Sequence, residues 1–420
     1  MMPELSKTKL NEISKRKTSP WVDGLKVNAR QYSMFIALVA IWLMFTALTG
    51  GTFLSARNLS NLFVQNSFIA ILAVGMVLVI VAGHIDLSVG SIAGFAGGIA
   101  AMLNVGIRSG ETGEIIFRMG TWESILVAMI AGLLIGVWQG YWIAFQGIPA
   151  FIVTLAGMLV FRGLLIAMTG GQTITPLEDS FKALGQNYIP QLFMQGTVGK
   201  DIPFHDFSLL ATFGGIILFT IFDYLNRAKK KKYGFDVLSA GLQLSRVFGI
   251  SVLIFAIAAA MIFYRGIPFS IVITIALVLL FTFITNKTVF GRQVYAIGGN
   301  KEAARLSGIN IRSRTMMIFV IMGMLSALSG IVFSARLDSA ASSSGNLFEL
   351  DAIAAAIIGG TSTLGGEGTI IGAIIGALVM GSLNNGMSLM GWSAEWQMVV
   401  KGLVLLLAVL FDRVSRSKKA

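Results

Sequence analysis

The sequence predicts an all-α, polytopic membrane protein with about 12 transmembrane helices, and three observations predict it. Hydrophobic residues make up 55% of the 420 residues and charged residues 12%, against roughly 25% charged in a soluble domain. Apolar runs of roughly 20 residues, the length that crosses a bilayer core, recur from end to end. Glycine is abundant at 48 residues and proline scarce at seven, which suits helices packed backbone to backbone.

Residues 1–33 form a basic segment, and the first apolar run starts near Met34 without a small-residue cleavage site, so no signal peptide is expected. Residues 34–411 read as one transmembrane domain. Its spans fall at about 34–53, 67–84, 88–107, 124–145, 151–168, 208–226, 247–264, 268–285, 315–336, 352–362, 369–386 and 394–411. Trp122 opens the fourth span, and Trp138, Tyr141 and Trp142 close it; Trp392 and Trp396 open the twelfth. Such rings favour headgroup depth, where an apolar body and a polar N–H or O–H are both satisfied. The tenth span is too short to cross alone. It is expected to run into "GGTSTLGGEG" as a broken or re-entrant segment, tolerated only where protein surrounds it.

Charge decides the orientation. Residues 1–33 carry seven Lys/Arg against three acids, 227–246 six against one, 286–314 six against one, and the tail 412–420 four against one. With twelve crossings all four stretches share a side and hold 23 of the 32 basic residues, as cytoplasmic flanks do. Both termini are therefore expected in the cytoplasm, and the formal charge of +12 reads as flanks rather than as a nucleic-acid patch. The opposite loops lean acidic: 169–207 holds Glu178, Asp179, Asp201 and Asp206 against Lys182 and Lys200, and 337–351 holds Asp338, Glu349 and Asp351. A weak repeat pairs Gly90, Gly94 and Gly98 with Gly368, Gly372 and Gly376; small-residue packing explains it as well as duplication does.

Enzyme chemistry has little to stand on. There is no cysteine and there are only two histidines, His84 and His205, which excludes thiolate sites and multi-histidine zinc. No phosphate-cradling G-x-x-x-x-G-K-[ST] occurs; "GTVGKD" has the wrong spacing and Asp201 where a hydroxyl is needed. No cofactor is expected. Intramembrane charges default to function. Arg162 in "LVFRGLL" either serves function, snorkels or satisfies helix carbonyls, Asp223 is expected to pair with Arg227, and Lys401 to hold a neighbouring chain or a loop carbonyl. In "GHIDLSVGS", Asp86 and Ser88 read as caps of the third helix, or as lining a translocation path. Asn384 and Asn385 in "SLNNGMSLMG" carry the same two readings, capping the eleventh helix or bonding a sugar's hydroxyls.

The polar stretch "YAIGGNKEAARLSGINIRSR", residues 295–314, lies between two apolar runs. It predicts a short amphipathic helix over 300–308: Asn300 caps it, Glu302 suits its dipole, Ala303, Ala304 and Leu306 give a compact surface, and Gly308 ends it. An ordinary solvated loop is the alternative.

"EAARLSGI" resembles the coupling-loop motif of ATP-binding-cassette importer permeases. "GHIDLSVGS", "PAFIVTLAGMLVFRG", "GRQVYAIGGNKEAARLSGI", "LDAIAAAIIGGTSTLGGEGTIIGA" and "NNGMSLMG" resemble, in order, the ribose/xylose/arabinose/galactose branch of that family, over nearly all of 54–412. Residues 149–163 and 294–309 look most like its xylose members. The chain departs in carrying His84 and an extra hydrophobic pair at about 208–264, where ribose members have a ten-span core. The resemblance implies a type II-like importer fold and a non-catalytic subunit in the bacterial inner membrane. It implies D-xylose as cargo, with ribose, arabinose or galactose as alternatives. The implied partners are an ATPase subunit with two ATP-binding cassettes, a periplasmic sugar-binding protein and a second permease copy. It assigns ATPase coupling to Asn300, Glu302, Ala303, Ala304, Arg305 and Gly308, leaving 169–207 as a periplasmic loop, 227–246 as a cytoplasmic basic loop and 286–314 as the coupling loop. From another class, a cation-coupled sugar symporter usually embeds acids at mid-membrane, whereas here the acids read as lying at span ends.

Overall fold

The computed structural model describes residues 29–108, 114–193, 204–235, 237 and 239–417. The basic segment 1–33 lies almost entirely outside them, as do Lys200, Asp201 and the last three residues of the expected tail. Fifteen α-helices account for most of the described chain: α1 (Ala29–Leu48), α2 (Ala56–Val81), α3 (Val89–Val105), α4 (Thr121–Ala144), α5 (Ala150–Thr169), α6 (Asp179–Gln186), α7 (Asp206–Lys232), α8 (Ala240–Ile262), α9 (Phe269–Lys287), α10 (Val289–Gly299), α11 (Lys301–Leu306), α12 (Ile311–Leu337), α13 (Phe348–Ile358), α14 (Ile370–Leu389) and α15 (Ala394–Ser417). Eight of them, α2, α4, α5, α7, α8, α9, α12 and α14, are long and apolar enough to cross a bilayer unaided. The shorter α1 and α3, the broken α13 and the partly amphipathic α15 bring the total to the twelve spans expected. A two-stranded hairpin, β1 (Ile107–Arg108) with β2 (Ile115–Phe117), joins α3 to α4.

α2 is the axis of the bundle. Every residue from Asn66 to Val81 is buried, and α12, α14, α13 and α9 pack around it. α12 in turn binds α4 and α3 through small residues. A Cβ on Gly132 would lie 2.6 Å from the Gly323 carbonyl oxygen, and one on Gly323 would fall on the Gly132 carbonyl. The two helices therefore meet backbone to backbone, which is how dispersion holds helices in a solvent as apolar as their side chains. α7 and α8 pack mainly on each other at the rim, with most of their surface left for lipid. The extra pair thus adds to a core that is complete without it. Asp223 of α7 pairs with Arg246 of α8 at 3.3 Å and accepts from Gln243. The partner is across the helix pair, not the Arg227 of the same helix that the sequence suggested.

The connection 170–193 is more than a loop. It carries α6, whose Gly185 packs on the backbone of Ala335 and Arg336. Leu177 N–H donates to Asp338 Oδ1 at 2.8 Å, and Ile174 bridges to Ala340. Glu178 draws together Arg118, Asn104 and Thr121. Lys182 donates to Asp179 at 2.7 Å and holds that exposed carboxyl below its usual range. This end of the bundle is therefore sealed by a folded polar cap.

Replacing Gly323 by Leu overfills the α4–α12 seam and is expected to destabilise the protein by about 1–3 kcal/mol. Gly163→Leu, where a Cβ meets nothing within 4 Å, is expected to leave stability nearly unchanged. Thermal unfolding in detergent followed by circular dichroism checks the difference; equal melting of both variants contradicts the seam.

Candidate functional site

The stretch between α9 and α12 folds as two short helices. Thr288 caps α10 through the Gly291 N–H at 3.2 Å, and Val294 and Ile297 bury its inner face. Asn300 then turns the chain and caps α11, its Oδ1 accepting the Ala303 N–H at 2.9 Å. Glu302 in the first turn pairs with Arg305 in the last, matching the helix dipole at both ends. Gly308 closes the helix at φ 79°. Its N–H donates to Arg305 O at 3.0 Å and that of Ile309 to Ala304 O at 3.1 Å, the Schellman pairing that stops a helix sharply. Asn310 immediately caps α12 through Ser313 N–H at 3.0 Å.

So the predicted helix exists as 301–306, shorter than 300–308, and is fixed at both ends. One expectation is corrected. Ala304 is buried and anchors α11 to the bundle; it is not part of the outward surface. Lys301, Glu302, Ala303, Arg305 and Leu306 are exposed, Leu306 at 79%. Between α11 and the α2–α3 connection lies a cavity of about 330 Å³, walled by Gly83, His84, Ile148, Phe151 and Lys301 among others.

Inside the bundle the acids are not where the sequence put them. The sequence predicts Glu349 and Asp351 in an outer loop. Both are buried in the first turn of α13, because residues 338–347 dip into the bundle before the helix begins. The Phe348 ring packs on Phe68 at 4.5 Å, twelve residues along α2 and so roughly 18 Å from its start. Arg162 Nη1 donates to Ser344 O at 2.7 Å. It holds this inserted loop, a role distinct from snorkelling or binding a helix carbonyl. Lys401 likewise binds a side chain rather than a carbonyl: its Nζ meets Asp351 Oδ2 at 3.0 Å.

Asp86 Oδ1 accepts both the N–H and the O–H of Ser88, at 2.8 and 2.6 Å, and Ser88 Oγ accepts from Gln139 Nε2 at 2.7 Å. The carboxylate thus shapes the turn into α3, while Ser88 caps nothing with its side chain. Asp86 Oδ2, Glu349 Oε2 and Asp351 Oδ1 are buried with no hydrogen-bond partner. Asn384 and Asn385 lie within α14 and cap nothing. Asn385 exchanges two amide bonds with Asn58 of α2, at 2.8 and 3.1 Å, and Asn384 Oδ1 is buried and unpaired. Among the described residues no cluster of three His, Cys, Asp or Glu could hold a metal.

A family model described as the branched-chain amino acid transport system permease component matches residues 58–409. The chain belongs to this permease family. It is 40% identical over 407 residues to the xylose transport system permease protein of Escherichia coli (strain K12), covering 96% of each chain. It is 39% identical over 392 residues to the xylose transport system permease protein of Haemophilus influenzae, covering 93% of this chain and 98% of that one. The ribose import permease protein of Bacillus subtilis is 34% identical over 374 residues, covering 89% and 90%. No solved structure matches the chain. As a family member the chain is a multi-pass transport subunit of the inner membrane, and the matched region takes in α10–α11, every break and all but the first span.

Lys401→Met leaves the buried Asp351 carboxyl without its cation, and is expected to cost about 3–5 kcal/mol. Adding Asp351→Leu is expected to restore most of the loss. Melting temperatures of the two single variants and the double variant in detergent check this; strictly additive losses contradict the pairing.

Proposed function

We propose that this permease imports D-xylose, driven by ATP hydrolysis in a separate subunit that grips α11. The observation that carries the reading is α11 itself. It is a six-residue helix capped by Asn300 and ended by Gly308, footed on Ala304, with its remaining side chains exposed. A helix so fixed moves as a unit when pushed, which an unstructured loop does not. It lies at the end of the bundle where Lys229 to Lys232, Arg246, Lys287, Arg292, Arg312 and Arg314 also cluster. That bias supports a cytoplasmic position for this end and for both termini.

The other parts follow from this assignment. An ATPase subunit with two cassettes presses on α11 of each of two permease copies. A periplasmic sugar-binding protein delivers cargo at the opposite end, onto the cap built around α6. Relatives named for xylose stand at 40% and 39% identity and the ribose relative at 34%, which supports a pentose and favours xylose over ribose. A second reading, cation-coupled symport, draws on the buried and partly unpaired Asp86, Glu349 and Asp351, since symporters embed acids near the membrane centre.

Proteoliposomes holding this chain, the ATPase and the binding protein are expected to accumulate labelled xylose only with internal ATP. Accumulation on a proton or sodium gradient, without the ATPase, overturns the reading in favour of symport. Gly308→Val forces a β-branched residue into the left-handed region at about 1–2 kcal/mol, so the ratio of correctly ended α11 to other conformers falls roughly tenfold. Uptake is expected to collapse with the chain still inserted, and Glu302→Lys is expected to do the same. Wild-type uptake by both variants contradicts the role of α11.

A further inference from the structure

Next to α11, α10 meets two other stretches of backbone at one junction. The carbonyl of Val81, the last residue of α2, accepts the Gly366 N–H at 2.8 Å. Gly366 belongs to the break 359–369 between α13 and α14. Gly298 of α10 packs onto this same bond: a Cβ there would fall on the Val81 oxygen and lie 2.6 Å from Gly366 N. A Cβ on Gly365 would be 2.9 Å from Gly298 O, and one on Gly366 would be 2.8 Å from Gly299 Cα. Three backbones therefore meet with no side chain between them. Tyr295, one turn earlier on α10, adds a strut: its hydroxyl donates to the Gly368 carbonyl at 2.7 Å.

We infer that Gly298 and Tyr295 are positioning residues for transport, transmitting movement of α11 to the membrane core through this three-backbone junction. The inference rests on the reading of α11 as the ATPase contact. Asn300 alone separates α10 from α11, so α11 cannot be displaced without carrying α10. The break held by α10 runs on into two helices. Toward α14, Gly359 and Gly372 are packed backbone to backbone. Toward α13, the far end carries Glu349, whose carboxylate abuts Gly90 at the start of α3. A shift of α10 thus reaches α2 directly, and reaches the carboxylates inside the bundle along the break and the roughly three turns of α13. Contacts this close have no slack, because no rotamer can absorb the displacement.

Two adjacent glycines make the test specific. Gly298→Ala must push the three backbones apart, whereas Gly299→Ala meets nothing within 4 Å at an ordinary φ. Tyr295→Phe removes only the strut. Each variant is reconstituted with the ATPase and binding protein, and xylose carried per ATP hydrolysed is measured alongside recovery of the intact complex. The Gly298→Ala and Tyr295→Phe complexes are expected to assemble and hydrolyse ATP, yet carry at least about fivefold less sugar per ATP, within the usual range of coupling energies. Gly299→Ala is expected to match the wild type. A wild-type ratio in Gly298→Ala overturns the inference, as does a parallel loss of transport and hydrolysis, since a merely structural role lowers both together. If Gly298→Ala does not assemble, Tyr295→Phe decides by the same criterion. Sugar carried by the wild type without the ATPase refutes the ATP-driven reading itself, and this is visible before any variant is compared.

Discussion

The structure depends on one constraint: in hydrocarbon, every backbone N–H and C=O must find its partner inside the protein. Unbroken helices meet it by themselves. This chain breaks helical structure at 82–88, at 338–347 and at 359–369, and each break has to be paid in contacts with other segments. Asp86 satisfies the first, taking the Ser88 N–H. Arg162 serves the second through Ser344 O. The α2 terminus serves the third through Val81 O and Gly366 N–H. Glycine permits such approaches, and its abundance in the chain follows from the number of places where backbone meets backbone.

Movement and stability draw on different residues. α12 is locked to α3 and α4 by small residues, α2 is buried in apolar contacts, and together they form the fixed frame. The half-span α13 shares a backbone seam with α14, at Gly359–Gly372 and Ala355–Gly376, and is tied to α15 by the Lys401–Asp351 pair. Polar attachments of this kind, worth only about 0.6–2 kcal/mol each in membranes, can exchange partners. Continuous apolar seams cannot do so without opening a void. The polar ties, rather than the glycine seams, are where a bundle of this design has room to change.

Much of this was legible in the sequence because it is local. Asn300, Glu302 and Gly308 announce a short helix by cap chemistry that acts within a few residues, and the long apolar runs announce their own spans. The peripheral placement of α7 and α8 was likewise foreshadowed by a hydrophobic pair inserted into an otherwise complete pattern. What the sequence hid is long-range. Asp351 and Lys401 lie 50 positions apart and Asn58 and Asn385 lie 327 apart, so no spacing rule links them. Glu349 misled for another reason: a polar segment before a helix reads as a surface loop, and nothing local reveals that 338–347 turns inward. Leu306 and Ala304 sit in one six-residue helix, yet only the packed structure tells which faces out.

The central claim is that the bundle is passive and takes its push at α11 from a nucleotide-hydrolysing partner. The absence of cysteine from the chain makes the direct test clean. A single Ala303→Cys carrying a short photoactivatable crosslinker is illuminated in native membranes, and the adduct is identified by mass spectrometry. The account predicts a crosslink to an ATP-binding-cassette subunit, formed from the cytoplasmic side. A cysteine labelled only from the periplasmic side, or one that never captures such a subunit, contradicts it.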